Sequence, residues 1–197
     1  MREVPFLQTI HFAELSRLSQ ELDAEKPYFE LIEGLEVQKV SPQTRHSRLQ
    51  GKLFTILDAW ANERGIAGTE WRFWLIPTAQ RRTSLVPDVA YVSRRRFAAL
   101  GEDQREMPPF APDIAVEIRS PGERRRNLQR KVELYLAHGS NLVLDVDPKT
   151  RTIVAHDGAA SRTFTEHERF EHPAAPGLSI DVRKLFASVE EPRRPVS

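Results

Sequence analysis

The sequence predicts an α/β (α+β) fold in which a mixed central sheet is flanked by helices. Some segments repeat apolar residues at three- and four-residue spacing, as helices do, and shorter segments alternate apolar and polar residues, as strands do. These segments follow one another in the order helix, two strands, helix, several strands, helix, two strands. The length of 197 residues suits one domain, which we expect over residues 1–189, with a flexible tail over 190–197.

Apolar periodicity and stop residues define the predicted helices. The first spans residues 11–22, and the second runs over about 44–64, where Gly65 ends it. The third runs over about 125–138, and a short last helix lies around 184–186. Each long helix carries one apolar stripe, which we expect to face the sheet.

Alternating patterns and turn residues define the predicted strands. A hairpin over 28–40 turns at Gly34, because the glycine separates two alternating runs. A second hairpin surrounds the Asp147-Pro148 pair. The strands of this second hairpin are predicted at 141–146 and 151–156, the remaining strands at 66–76, 85–92 and 114–118, and 177–182 is a further apolar element.

The composition excludes several classes of protein. There is no cysteine, which rules out a disulfide scaffold, a thiolate zinc site and a cysteine nucleophile. No stretch approaches the roughly 18 apolar residues of a membrane helix, and no signal peptide opens the chain, so we expect a soluble, cytoplasmic protein. The net charge of +1 combines 23 arginines with 6 lysines. Arginine suits contacts with phosphate, although a genome rich in G and C produces the same bias.

The distinctive chemical feature is a pair of charged residues on one predicted strand. Glu117 and Arg119 lie two residues apart and therefore project from the same face, which is polar. A carboxylate near a strand end, with a cation two residues on, is the half-site of a metal-dependent phosphodiesterase. In such a site the carboxylate holds the metal, and the cation holds or activates the attacking water.

The other half-site requires a second carboxylate on a neighbouring strand, and two Pro-Asp pairs offer one. Asp113 lies on the strand of Glu117, four residues away, which is roughly 13 Å and too far to share one ion. Asp88 lies on a separate strand, and neighbouring strands run only about 4.8 Å apart. Asp88 is therefore the better candidate, although an aspartate after proline is also a common turn residue.

Lys131 is a candidate for the cation of the site. It flanks the apolar stripe of the third helix, three residues after Leu128 and four before Tyr135. A lysine near a packed face costs free energy unless its ammonium finds a carboxylate or reaches water. It therefore either snorkels to solvent or points at the Glu117 strand from the helix behind it.

Two features near the N-terminus fit the same site. Glu30 and Glu33 lie on the first hairpin and point to opposite faces of its strand, so at most one of them faces the site. His46 lies near the buried side of the second helix, where a histidine is usually structural. Because the candidates are mostly carboxylates, the expected ion is Mg²⁺, with Mn²⁺ able to substitute, rather than Zn²⁺.

Six segments, taken in order, resemble one family of proteins: FELIEG, SPQTRHSRL, VPDVAYVS, PDIAVEIRSPGERRRNLQRKVELYLAHG, VLDVDP and PGLSIDVRKLF. The chain is similar to the Uma-two family of bacterial proteins, which are named as restriction endonucleases, within the PD-(D/E)XK nuclease superfamily. The resemblance covers about residues 11–187, and its most specific part is the block over 112–139.

The resemblance implies a restriction-endonuclease-like fold and a Mg²⁺-dependent phosphodiesterase site. It makes Asp88 the aspartate of the PD pair and Glu117 the second acidic metal ligand. The catalytic lysine of this family is supplied by the following helix, which Lys131 matches. Glu30 matches the acidic residue of the hairpin, and His46 matches a histidine common after the Ser-Pro turn.

The chain departs from the family pattern at two places. Arg119 stands where the family usually has an apolar residue, and is either a second cation of the site or a solvent-facing group. The stretch over 140–148 lacks the Glu-Tyr-Trp run that usually precedes the Val-Asp-Pro turn, which affects none of the proposed ligands.

Two functions of different classes follow. The first is a DNA endonuclease, with the arginine runs at 81–82, 94–96 and 124–126 as candidate contacts to the DNA backbone. Arg124 is the best placed of these, because its run adjoins the site. A homodimer would supply the two sites needed to cut both strands. The second function is a catalytically silent module that binds nucleic acid or a protein on a nuclease fold.

Overall fold

The computed structural model of the protein describes residues 29–39, 43–76, 83–121 and 125–190. The predicted helix over 11–22, the arginine pair 81–82, Arg124 and the tail beyond Glu190 lie outside the described residues. The described residues form a six-stranded mixed sheet, a four-stranded sheet and a two-stranded ribbon, with helices on both sides of the larger sheet. The predicted fold class is confirmed.

The strands are labelled β1 to β12 in chain order and the helices α1 to α5. The strands span Phe29–Ile32, Leu35–Gln38, Gly65–Thr69, Phe73–Ile76, Thr83–Leu85, Val89–Ser93, Ile114–Ile118, Leu142–Asp147, Thr152–His156, Ser161–Phe164, Arg169–Glu171 and Ser179–Asp181. The helices span Thr44–Ala61, Arg94–Ala98, Glu102–Glu106, Arg125–Ala137 and Val182–Ala187, and a 3₁₀ turn over Asn62–Arg64 follows α1.

The larger sheet has the strand order β10-β9-β8-β7-β6-β3. Only β7 and β8 run parallel among its described strands, and α4 connects them, as a parallel pair requires. The antiparallel pairing of β6 with β7 sets Val89 opposite Val116, so Asp88 and Glu117 lie side by side just beyond the last recorded pair of this ladder.

Strand β7 is buried along its whole length, because both faces of the larger sheet are covered. On one face, Val116 and Ile118 pack with the leucines of α1. On the other, Ala115 packs with Val132 and Tyr135 of α4. The sequence predicted a polar face around Glu117, but α4 covers that face with an apolar contact at Ala115, so Glu117 is buried beneath the helix.

The smaller sheet has the order β2-β1-β5-β4 and is antiparallel throughout. Its apolar residues Phe73 and Leu85 share one core with Ala90 and Ala115 of the larger sheet. This packing brings β1, which carries Glu30, towards the end of β7.

The predicted hairpin over 28–40 is confirmed, with β1 and β2 joined at Glu33 and Gly34. Both turn residues have positive φ, 52° and 85°, which is the geometry of a tight two-residue turn. The predicted strand over 85–92 is instead two strands of different sheets, because the chain leaves β5 after Leu85 and enters β6 at Val89. Pro87, between them, has no N–H to donate to a ladder.

The strand predicted over 66–76 is also divided between the two sheets. The chain leaves β3 at Thr69, turns at Glu70 with φ of 52°, and enters β4 at Phe73. The short elements α2, α3, β10 and β11 were not predicted, since each has five residues or fewer and little periodicity. In the part of the chain that the structure describes, no helix is both long and apolar enough to cross a membrane.

Candidate active site

Asp88 lies where the chain passes from the smaller to the larger sheet, and it is buried. Its Oδ2 accepts a hydrogen bond of 2.7 Å from the backbone N–H of Ile118, and its Oδ1 accepts one of 3.0 Å from Lys39. His46 Nε2 lies 3.3 Å from Oδ2. Burial raises the pKa of Asp88, but the charge of Lys39 and the contact with His46 outweigh it and hold the pKa well below its usual range.

Glu117 lies near the end of β7 and is equally buried. Its Oε2 accepts a hydrogen bond of 2.5 Å from Lys131, and its Oε1 accepts one of 2.8 Å from the hydroxyl of Tyr135. Burial raises the pKa of Glu117 to about 8. The charge of Lys131 opposes this shift, while the neighbouring carboxylates of Glu30 and Asp88 reinforce it.

Glu30 joins the same group of side chains from the smaller sheet. Its Oε2 lies 3.1 Å from the ammonium of Lys131, and its Oε1 accepts a hydrogen bond of 2.8 Å from the backbone N–H of Val86. The carbonyl of Val86 in turn accepts a hydrogen bond of 2.8 Å from Lys39. The backbone of Val86 thus holds both side chains, Glu30 through its N–H and Lys39 through its carbonyl.

These contacts define the carboxylate cluster, which consists of three acids and two lysines. Four of the five side chains are nearly inaccessible, and Lys39 is 15% exposed. Its members are Glu30, Lys39, Asp88, Glu117 and Lys131. The structure thus brings together all four residues predicted as catalytic, and adds a second lysine.

Arg119 makes its ion pairs outside the carboxylate cluster. It donates to Asp145 through Nε at 2.7 Å, and to Asp147 through Nη1 at 3.0 Å. Both aspartates lie on β8, next to β7 in the sheet. Hydrogen bonding to Asp145 raises the pKa of Arg119, so this cation is matched by two carboxylates of its own.

Two alternative acids from the sequence lie elsewhere. Glu33 sits in the β1–β2 turn, where its Oε1 forms an ion pair of 2.6 Å with Arg130. Asp113 lies at the other end of β7, where it accepts a hydrogen bond of 2.7 Å from the backbone of Ser93 and pairs with Arg96. Neither side chain belongs to the carboxylate cluster.

A cleft of about 1090 Å³ adjoins the cluster. The start of α1, the segment after β7, the start of α4 and the β8–β9 turn line it. His46 lies between the two regions, since it lines the cleft and contacts Asp88. Arg119 also lines the cleft, whereas Arg124, the other accessory candidate, lies outside the described residues.

Sequence reasoning missed three residues that support the cluster. Lys39 follows β2 as an ordinary charged residue and gives no signal of its own. Tyr135 was assigned to the apolar stripe of α4, although its position four residues after Lys131 places both on one face. Gln50, four residues after His46, donates hydrogen bonds of 3.1 Å to the Asp88 carbonyl and 3.2 Å to Glu70.

The donors of the cluster fit a hard divalent cation in their chemistry. Within residues 29–39, 43–76, 83–121 and 125–190, no group of three or more His, Cys, Asp or Glu side chains converges as a ready-made metal cage. Mg²⁺ rarely requires one, because it usually keeps several waters and binds through one or two carboxylates and the phosphates of its substrate. Asp88 and Glu117 supply two carboxylates at the ends of adjacent strands.

Comparison with known proteins supplies a family and a fold. The sequence profile of the Uma2 (Uma-two) family, described as "Putative restriction endonuclease", matches residues 12–183. The crystal structure of an Anabaena variabilis protein, described as "a putative nuclease belonging to DUF820", matches with a TM-score of 0.74 and 23% sequence identity. The match covers 84% of this chain and 93% of that one, so the two share a fold. No curated protein matches the chain.

The raised pKa of Glu117 predicts a pH-dependent loss of stability. Between the ordinary value of 4.5 and about 8, the folded state holds a proton that the unfolded state has released. The free energy of unfolding should therefore fall as pH rises through this window, by at most about 1.4 kcal/mol per pH unit. Chemical denaturation from pH 5 to 8 should show this slope in the wild type and a flatter one in Glu117→Gln.

The matched control is Glu133→Gln, which removes a half-exposed glutamate of α4. It should keep the wild-type slope. Equal slopes in the wild type and Glu117→Gln would contradict the raised pKa of Glu117.

Proposed function

Because this chain belongs to the Uma2 family, we propose that it is a metal-dependent endonuclease that hydrolyses phosphodiester bonds of DNA. Family and fold together indicate a nuclease. The observation that carries the finer proposal is the carboxylate cluster, in which Glu30, Asp88, Glu117 and Lys131 meet. Those are the four residues that the resemblance to PD-(D/E)XK nucleases assigns to the catalytic centre.

The energetics of the cluster favour a functional role. Removing three carboxylates and two ammonium groups from water costs several kcal/mol per ion, and well-packed apolar residues often replace such groups without loss of stability. Buried groups with shifted pKa values collect at catalytic sites, where the shift prepares them for chemistry. The pKa values of the neighbouring acids Asp88 and Glu117 are shifted in opposite directions.

Asp88 and Glu117 are the proposed ligands of Mg²⁺, which Mn²⁺ should replace. When bound, the ion would polarise the scissile phosphate and favour ionisation of water. Glu117 must lose its proton to serve as a ligand. Lys39 and the N–H of Ile118 keep the Asp88 carboxylate ionised and fixed in direction.

Lys131 is the proposed catalytic cation. Its ammonium lies between Glu117 and Glu30, at 2.5 Å and 3.1 Å, so its position is fixed by two acids on different sheets. From there it would orient the attacking water and stabilise the charge that develops on the phosphate. Glu30 would hold the same water through Oε2, and Tyr135 would position Glu117 from its other oxygen.

The proposed substrate is DNA, and cutting both strands of a duplex requires two active sites. A homodimer would supply them, and this arrangement is part of the proposal. His46 and Arg119, the two accessory candidates that the structure describes, stand in different relations to the proposed metal ligands. His46 contacts Asp88 directly, whereas Arg119 is paired with the aspartates of β8.

Metal binding is the first test. Calorimetric titration with Mn²⁺ should show saturable binding to the wild type. By mass action the metal should raise the free energy of unfolding by about 2.7 kcal/mol at a concentration of 100 Kd, and with it the melting temperature. The double variant Asp88→Asn, Glu117→Gln should lose both effects. Glu33→Gln, on the same hairpin as Glu30, should keep them. Undiminished binding in the double variant would place the metal elsewhere.

Plasmid cleavage with Mg²⁺ or Mn²⁺ distinguishes the roles of Lys131 and Arg119, the two basic side chains near Glu117. Lys131→Met should lower the nicking rate by about 10²–10³-fold, the usual cost of removing one group that stabilises charge in the transition state, while leaving Mn²⁺ binding nearly intact. Arg119→Ala should cost much less, since its charge is matched by Asp145 and Asp147. The reverse ranking would assign catalysis to Arg119. No cleavage by a wild type that binds both Mn²⁺ and DNA would favour the silent binding module.

A further inference from the structure

The cleft beside the carboxylate cluster has a strongly basic lining. Arg45, Arg125 and Lys149 line it and are exposed, and in the described portion of the chain none of their side chains has an acidic partner. Asp147 also lines the cleft, but its charge and that of Asp145 are engaged by Arg119. Arg119 carries one positive charge against these two carboxylates, so the aspartates offset part of the positive charge and the lining stays net positive.

The first turn of α1 adds backbone donors to the same cleft. The helix has 18 residues and starts at Thr44, with the N-cap residue Gln43 giving no side-chain cap and no acidic residue in the first turn. The first N–H groups of a helix have no partner within the helix, and the helix dipole favours an anion there. This feature is common in proteins and by itself identifies no ligand.

His46 supplies the independent observation. The side chain is 6% exposed and lines the cleft. Its Nε2 contacts Asp88, but its Nδ1 forms no hydrogen bond with any atom that the structure describes. Burying a polar atom without a hydrogen-bond partner costs about 1–3 kcal/mol of folding free energy. A ligand that bonds to this nitrogen would remove that cost.

We propose that this cleft is a phosphate subsite, in which His46 Nδ1, the first turn of α1 and the basic side chains of Arg45, Arg125 and Lys149 hold a phosphate of the DNA backbone. The phosphate oxygen would take the position beside His46 Nδ1 that no described atom fills, while Nε2 keeps its contact with Asp88. The subsite rests on the proposed function for its substrate. It would fix a phosphate beside the one that is cut, because His46 separates it from the carboxylate cluster.

Binding of a fluorescent DNA duplex, measured by anisotropy in EDTA, tests the subsite without metal or cleavage. The double variant Arg125→Ala, Lys149→Ala should weaken binding about tenfold, as expected for two exposed ionic contacts. It should also lower the slope of log K against log salt by about two. Lys52→Ala removes an exposed lysine of α1 that does not line the cleft, and it should change neither quantity. Equal effects of the two variants would overturn the proposal.

Nitrogen-15 NMR of the histidine rings identifies the ligand at His46. Addition of the duplex should move the Nδ1 signal of His46, which is assigned by its absence in His46→Gln. A signal that moves with inorganic phosphate but not with the duplex would overturn the backbone assignment. These results are independent of turnover: a protein that fails to cleave but shows both effects keeps the subsite, and one that cleaves without them loses it.

Discussion

The ammonium of Lys131 is the point on which the site depends, because it ties α4 to both sheets. It contacts Glu117 of β7 and Glu30 of β1, and all three side chains are buried. Without the ammonium, two carboxylates would face each other away from water, which is strongly unfavourable. Its position thus couples the packing of the smaller sheet against the larger one to the chemistry of the cluster.

Lys39 pairs with Asp88 as Lys131 pairs with Glu117 and Glu30. Lys39 bonds to the Asp88 carboxylate and to the Val86 carbonyl, in the segment that carries the chain between the sheets. The N–H of Val86 bonds to Glu30. The segment between β5 and β6 therefore holds Glu30 and Lys39 in position through Val86. Pro87 in this segment has no N–H and cannot join the hydrogen-bond ladder of either sheet.

The sequence was sufficient to predict the elements that carry most of the site. The long apolar stripe of α1, the alternation in β7 and the stripe of α4 are strong signals, and the structure forms all three. Adjacent-strand geometry correctly favoured Asp88 over Asp113 as the neighbour of Glu117. The choice between Glu30 and Glu33 was beyond this reasoning, because alternation ends at a turn in which Glu33 has a positive φ.

Other parts of the site could not be predicted for physical reasons. Lys39 reaches Asp88 across 49 residues of sequence, and no local pattern marks such a contact. Arg119 projects from the same face as Glu117 but pairs with acids of β8, whose proximity depends on the parallel alignment of β7 and β8. The division of 85–92 between two sheets follows from tertiary packing, which overrides a continuous apolar pattern.

The most direct test of the central claim, that Asp88 and Glu117 hold the catalytic cation, is an anomalous-difference map from a crystal soaked in Mn²⁺. The account predicts a peak bound by both carboxylates, and its absence in the Asp88→Asn, Glu117→Gln variant. A peak confined to the other acidic pair, Asp145 and Asp147, or an empty cluster at saturating Mn²⁺, would contradict it.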